Sequence, residues 1–249
     1  MADSNSPFYV GYLPLPAALR GSVRAWALSL LGVGVAAVAG IAALQKDPGT
    51  GSIDWSATTV AEGVLHVDPY PVLYKQQSEG PAQATLLVSE MKFGVADRTQ
   101  EFDGQSMAIT GYPISRDGRR MLEVVADEDA IQAAPNGSPS PAERVIVGEH
   151  TLVGEIADSK CFLGVMKPGL GKTHRACAVR CISGGIPPIL ITESEDGEVR
   201  MYVLRGRDGT PMNETVLPYV AEPVQLTGLV SRRGDLLFLD LDPDEIVRI

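Results

Sequence analysis

Apolar and polar positions divide the chain into one long apolar run and a following region of short alternating segments. Residues 25–44 contain no charged side chain, and about 20 apolar residues in a row can cross a bilayer as a helix. We therefore predict a transmembrane helix over residues 25–45, preceded by a segment of residues 1–24 and followed by a linker over residues 46–54. A cleaved signal peptide is the alternative, because it also combines basic residues with an apolar stretch.

Basic residues lie mainly on the N-terminal side of this run. Arg20 and Arg24 precede it, and only Lys46 follows it closely. The positive-inside rule therefore predicts a cytoplasmic N-terminus and an exported C-terminal part. In a bacterial cell, this topology is that of an inner-membrane protein with periplasmic C-terminal domains.

Small residues recur within the predicted helix. Gly32, Ala36 and Gly40 are spaced four residues apart, and such a face lets another transmembrane helix approach closely. We expect this face to contact a larger membrane-protein complex. The alternative is that Gly and Ala only fill a weakly apolar span.

Beyond the linker, short segments rich in β-branched residues alternate with turn sequences, a pattern typical of strands. We predict strands at residues 58–67, 84–91, 106–112, 121–126, 145–156, 188–192, 199–204, 224–230 and 236–241. Only residues 174–182 and 127–133 have a helical pattern. The predicted fold class is therefore mainly β.

Two parts of this β region resemble each other. Residues 108–131 are similar to residues 225–246, including a Thr-Gly pair in each copy, and residues 59–65 match residues 151–157 loosely. Chance similarity between hairpins is the alternative to a duplication. We predict two repeated small OB-like β-barrel modules, residues 55–135 and 144–249, joined by a linker over residues 136–143. The second module is expected to carry a helical insertion that bears Cys and His.

The charge of the chain limits its partners. The formal net charge is −10, which argues against nucleic-acid binding, because that function needs a basic face.

All three cysteines and one of the three histidines lie between positions 161 and 181. On a helix, His174, Cys177 and Cys181 would face one way, since they are three and four residues apart. Cys161, at the end of a predicted strand, could complete a four-ligand site, and the sequence predicts a metal site of the Cys3His type, with Zn²⁺ as the expected ion.

Two other interpretations of the cysteines remain open. Cys161 could form a disulfide with Cys177 or Cys181, which an oxidising compartment favours. Cys177, near the start of the predicted helix, could be a reactive thiol.

The stretch from Gly154 through Cys161, His174-x-x-Cys177-Ala-x-x-Cys181 and Gly185-Ile-Pro resembles a motif of uncharacterised bacterial membrane-anchored exported proteins. The resemblance covers about 35 residues and implies an envelope protein. With no recognisable acid–base or Ser/His/Asp constellation in the sequence, we expect a non-enzymatic accessory subunit of a membrane complex, such as one of electron transfer. A membrane-tethered thiol or metal redox protein is the alternative.

Overall fold

The computed structural model describes residues 15–45, 49–134 and 142–249. The chain divides into two compact units, residues 1–47 and 48–249. The first unit contains helix α1 (Ala17–Leu44), which is long and apolar enough to cross a membrane and buries no residue within the protein. A membrane anchor and a signal sequence both fit such a helix.

Helix α1 begins earlier than the predicted start at residue 25. Pro16 occupies the position before its first residue, and a proline disfavours helical geometry in the residue that precedes it. The helix therefore extends back through Arg24 and Arg20 as far as this proline. Of the predicted N-terminal segment, residues 1–14 lie outside the described part of the chain.

The second unit begins with a sheet of short strands that closes into a five-stranded barrel. Its strands are β1 (Ser52–Ile53), β2 (Thr59–His66), β3 (Val72–Lys75), β4 (Gln83–Ser89), β5 (Ser106–Arg116), β6 (Arg119–Val124) and β7 (Ile131–Ala133), with the short helix α2 (Ala96–Thr99) between β4 and β5. Strands β2, β3 and β4 pair antiparallel in succession, β4 pairs parallel with β6, and β5 joins β6 to β2. We refer to strands β1 to β7 as the first sheet.

The remaining strands form a second sheet with the same order of pairing. They are β8 (Arg144–Asp158), β9 (Pro188–Glu193), β10 (Val199–Gly206), β11 (Pro223–Arg233), β12 (Leu236–Leu241) and β13 (Ile246–Arg248). Strands β8, β9 and β10 pair antiparallel, β10 pairs parallel with β12, and β11 pairs with both β12 and β8. Helix α3 (Arg175–Ser183) lies between β8 and β9, and α4 (Asn213–Val216) lies between β10 and β11.

The Thr-Gly pair of the sequence repeat occupies the same place in both sheets. Gly111 lies in β5 and Gly228 in β11, each against a carbonyl oxygen of the neighbouring strand, that of Glu123 and that of Asp240. A Cβ at either position would overlap that oxygen, so only glycine lets the strands approach this closely. Glu123 and Asp240 are therefore equivalent positions of β6 and β12.

Among the described residues, three groups of buried apolar side chains hold the second unit together. One contains residues of the first sheet such as Leu65 and Ile109, and another contains residues of the second sheet such as Ile156 and Leu226. The third combines side chains of both sheets, including Leu86 from β4 and Phe238 from β12. The two sheets therefore share a buried core, which also contains the segment with the cysteines.

All nine predicted strands are present, most of them with shifted ends, but residues 127–133 are not an α-helix. Residues Glu128–Ala130 form a single 3-10 turn, and Ile131–Ala133 form β7, which pairs with β5. Hydrogen bonds to β5 decide this conformation, and they are not visible in a local pattern. Strands β1, β3 and β13 were also missed, because each is four residues or shorter. Of the predicted linkers, residues 46–48 and 136–141 lie outside the described residues, and β1 lies within the predicted linker 46–54.

Candidate metal centre

The cysteines lie on two elements that follow the end of β8. Cys161 begins a wide helical turn, Cys161–Val165, in which Gly164 leaves helical geometry with a φ of 156°. Cys177 and Cys181 lie on α3, one turn apart, so their side chains point to the same side of the helix. Cys161 and Cys181 are buried and Cys177 is half-buried.

Helix α3 begins one residue later than the sequence suggests. His174 occupies the N-cap position, and no side chain caps the helix there. His174 is therefore not part of the helix that carries Cys177 and Cys181. Likewise, Cys161 lies in a helical turn after the strand rather than at the strand end.

The three thiols form a compact group. The Sγ atoms of Cys161, Cys177 and Cys181 all lie within 4.8 Å of one another, and those of Cys161 and Cys177 are 3.9 Å apart. A Zn–S bond of about 2.3 Å in a tetrahedral site corresponds to an S···S distance of roughly 3.8 Å. The thiols are therefore spaced so that one thiophilic ion can bind all three with small side-chain movements.

A second group shares Cys161 and contains an acid that the sequence analysis missed. Ligand atoms of Asp158, Cys161 and His174 lie within 4.8 Å of one another, and all three residues are buried. The Nε2 atom of His174 lies 3.1 Å from Oδ2 of Asp158, whose Oδ1 accepts a 2.8 Å hydrogen bond from the backbone N–H of Cys161. Asp158 thus holds both the histidine ring and the turn that carries Cys161. Its position three residues before Cys161 was the available sequence signal.

This arrangement defines what His174 can do. With Nε2 bonded to Asp158, Nδ1 is the nitrogen left to bind a metal ion, and a carboxylate in this place orients a histidine ligand. His174 adjoins Cys161 but does not belong to the group of three sulfurs. The structure therefore brings the three predicted thiols together, and it places the predicted histidine beside one of them.

A lysine of the first sheet contacts the thiols. Lys92, in the loop after β4, donates a 2.8 Å hydrogen bond to Sγ of Cys177, and its Nζ lies 3.7 Å from Sγ of Cys181. The hydrogen bond with Cys177 raises the pKa of Lys92 above its usual value. No sequence pattern links residue 92 to the cysteines, because they are far apart in the chain.

The thiols differ in acidity. A hydrogen bond between Cys161 and Cys181, followed by burial, raises the pKa of the Cys161 thiol. The same hydrogen bond lowers the pKa of Cys181, an effect that burial opposes and the charge of Lys92 assists. Cys181 is therefore the thiol that deprotonates more readily of this pair, and a metal ion requires thiolates as ligands.

The other two histidines lie outside both groups. His66 is in β2 and His150 is an exposed residue of β8. Comparison of the chain with protein-family models, with curated proteins and with solved structures finds no match. The geometry of the site is therefore the basis for the functional argument.

Proposed function

We propose that this chain is a membrane-anchored accessory protein whose Cys/His cluster binds one metal ion, with Zn²⁺ as the expected ion. The observation that carries the proposal is the group of three Sγ atoms of Cys161, Cys177 and Cys181 within 4.8 Å of one another. His174 would be the fourth ligand and Asp158 would orient its ring. Three sulfurs and one nitrogen are a common set for a closed structural zinc site.

Charge supports a divalent ion in this site. Three thiolates and a divalent cation leave a formal charge of −1, and the ammonium group of Lys92 beside Cys177 balances it. Metal binding here would also join the turn after β8 to α3, so the proposed role of the ion is to stabilise this segment.

The anchoring part of the proposal rests on helix α1. A helix of 28 residues with an apolar surface and no buried residue needs a lipid or protein environment for that surface. We propose an N-terminus in the cytoplasm, since Arg20 and Arg24 lie at its N-terminal end, and a periplasmic location for residues 48–249. The face with Gly32, Ala36 and Gly40 would contact the larger membrane complex.

The two sheets make up the part of the chain that we propose is exported. We interpret both as OB-type barrels from one duplicated module, because their strands pair in the same order and Gly111 and Gly228 make the same close contact. The resemblance of the cysteine motif to that of exported bacterial proteins supports an envelope location in this proposal.

Metal analysis and thiol counting on one sample test the proposed site. The full-length protein is purified in detergent after growth with zinc, and metal content is measured by elemental mass spectrometry. We expect one zinc per chain and no thiol that reacts with an aromatic disulfide reagent until a chelator removes the metal. Three reactive thiols without metal, or a Cys161–Cys177 disulfide in the purified protein, would contradict the proposal.

A pair of histidine variants identifies the fourth ligand. His174→Ala is expected to lower zinc affinity strongly, whereas His150→Ala, at an exposed histidine in β8, should bind zinc like the wild type. Substitution by Co²⁺ provides a direct readout, because sulfur-to-cobalt absorption reports the thiolates in both variants. Equal affinities in the two variants would remove His174 from the ligand set.

A membrane-tethered thiol redox protein is the second candidate. Its support is Cys177, which is half-buried, contacts a lysine at 2.8 Å and lies 3.9 Å from the sulfur of Cys161. Such a pair could cycle between dithiol and disulfide. A reversible disulfide that forms in the wild type without affecting metal content would favour this function over the structural metal site.

A further inference from the structure

Lys92 approaches the thiols from the loop after β4 of the first sheet, whereas every ligand of the proposed metal site lies in the segment between β8 and β9 of the second sheet. Its Nζ atom lies 2.8 Å from Sγ of Cys177 and 3.7 Å from Sγ of Cys181. Lys92 is exposed and Cys177 is half-buried, while Cys161 and Cys181 are buried. The lysine therefore covers the side of the thiol group that faces solvent.

The loop that carries Lys92 is held against the end of α3 by backbone contacts. The N–H of Gly94 donates a 2.8 Å hydrogen bond to the carbonyl of Gly184. A Cβ at Gly184 would overlap the carbonyl oxygen of Lys92, and a Cβ at Gly94 would overlap that of Gly185. Gly184 and Gly185 thus end the helix, and the absence of their side chains lets this loop of the first sheet pack closely against them.

The N-terminal side of the same loop is fixed by a buried lysine. Lys160, which is 1 % exposed, donates hydrogen bonds of 2.9 Å to the carbonyl of Ser89 and 2.7 Å to that of Met91. Lys160 precedes Cys161 directly. The loop is therefore tied on both sides of Lys92 to the segments that carry the thiols, so the position of its ammonium group is set by the packing of the two sheets.

We propose that Lys92 closes the solvent side of the metal site, so that the first sheet controls how fast the bound ion exchanges. This inference rests on the proposed metal-binding function and adds its regulation. A three-thiolate site with a divalent ion has excess negative charge, and N–H···S bonds from an ammonium group stabilise it. The same group occupies the approach that a competing ligand needs in order to attack the ion. A partner that moved the 90–94 loop would open the site.

The test measures transfer of zinc from the full-length protein in detergent to an excess of a chromogenic chelator. In Lys92→Gln we expect one zinc per chain, as in the wild type, and a transfer rate that is higher by about tenfold or more, the factor that one charge-assisted hydrogen bond corresponds to. Lys92→Arg keeps the charge and the donors, and should remain close to the wild-type rate. Lys172→Gln, at an exposed lysine before α3, is the matched control and should leave the rate unchanged.

Gly184→Ala tests the same inference without changing any charge. The added Cβ displaces the carbonyl of Lys92 and hence the loop, and we expect faster zinc transfer with an unchanged zinc content. Equal transfer rates in the wild type, Lys92→Gln and Gly184→Ala, all loaded with one zinc, would overturn the inference and leave the metal site standing. Loss of zinc from folded Lys92→Gln would also overturn it, because Lys92 would then be needed for binding. A wild-type protein that binds no zinc would overturn the proposed function itself.

Discussion

Lys160 and Glu123 form a buried ion pair between the two sheets, and replacing Lys160 by Met tests what this pair does for stability. Their side chains are 2 % and 3 % exposed, and Nζ lies 2.5 Å from Oε2 of Glu123. The substitution removes the positive charge and keeps a side chain of similar length. It leaves the carboxylate of Glu123 buried without its cation.

The expected loss of unfolding free energy depends on which buried charges and carbonyl groups each variant leaves without a partner. Removing one partner of a buried ion pair costs about 3–5 kcal/mol. In the double variant Lys160→Met/Glu123→Leu no charge remains, and replacing a whole pair by apolar groups is often close to neutral. The carbonyls of Ser89 and Met91 still lose their donor, which costs about 1–2 kcal/mol in total. The double variant should therefore recover about 2 kcal/mol relative to Lys160→Met.

Urea unfolding of the full-length protein in detergent, followed by circular dichroism of the strands, measures these differences. With a slope of about 3 kcal/mol per molar urea, Lys160→Met should lower the midpoint by about 1–1.7 M. Lys172→Met, at an exposed lysine, should change stability by less than about 0.5 kcal/mol. A cost below about 1 kcal/mol for Lys160→Met, or a double variant no more stable than the single one, would refute the argument that the pair is desolvated and coupled.

Three further predictions concern the proposed metal site and the first sheet. Asp158→Asn should weaken zinc binding about 10- to 100-fold in chelator competition, because the carboxylate orients His174, and Asp196→Asn in an exposed turn should not. Chelation of zinc should lower the melting temperature in calorimetry, since the proposed site would bind the ion only in the folded chain, and restoring zinc should reverse the change. Burial, and secondarily the charge of Arg233, lowers the pKa of His66 below 6.5. The unfolded chain therefore binds a proton first as pH falls below about 6.5, so stability should decline there, and His66→Phe should flatten that decline in urea titrations.

The local pattern predicted the strands that carry several β-branched or aliphatic residues, whether these strands are exposed or buried. Strand β8 is exposed along most of its length and β12 is almost wholly buried, yet both carry several β-branched or aliphatic residues, and their predicted positions overlap the observed ones. The strands that were not predicted have two to four residues, and they are strands only because they form hydrogen bonds with neighbouring strands. The prediction of a helix at residues 127–133 was wrong for the same reason, because the pairing of β7 with β5 is a long-range contact.

The candidate site was predictable where its residues are close in sequence. The spacing of Cys177 and Cys181 on a helix was enough to place them together, and Cys161 follows the preceding strand closely. Asp158 was missed because a carboxylate at a strand end has many ordinary uses. Lys92 could not be found from the sequence, since only the packing of the two sheets brings it to the thiols.

Comparison of the two repeated sheets explains why Lys160, which follows β8, forms an ion pair with Glu123 of the first sheet. In the second sheet, Asp240 is bound by Arg205, its register partner on the parallel strand β10. The equivalent acid of the first sheet is Glu123, and its register partner on β4 is Val88, which has no charge to offer.

A buried carboxylate needs a cation, and β4 provides none for Glu123. The cation is Lys160, which lies in the segment between β8 and β9. The same ammonium group binds the two carbonyls that hold the Lys92 loop. Because Val88 offers no charge to Glu123, the ion pair with Lys160 forms instead and connects the first sheet to the cysteine segment. Mutations that weaken the pair between Glu123 and Lys160 should therefore change metal exchange as well as stability.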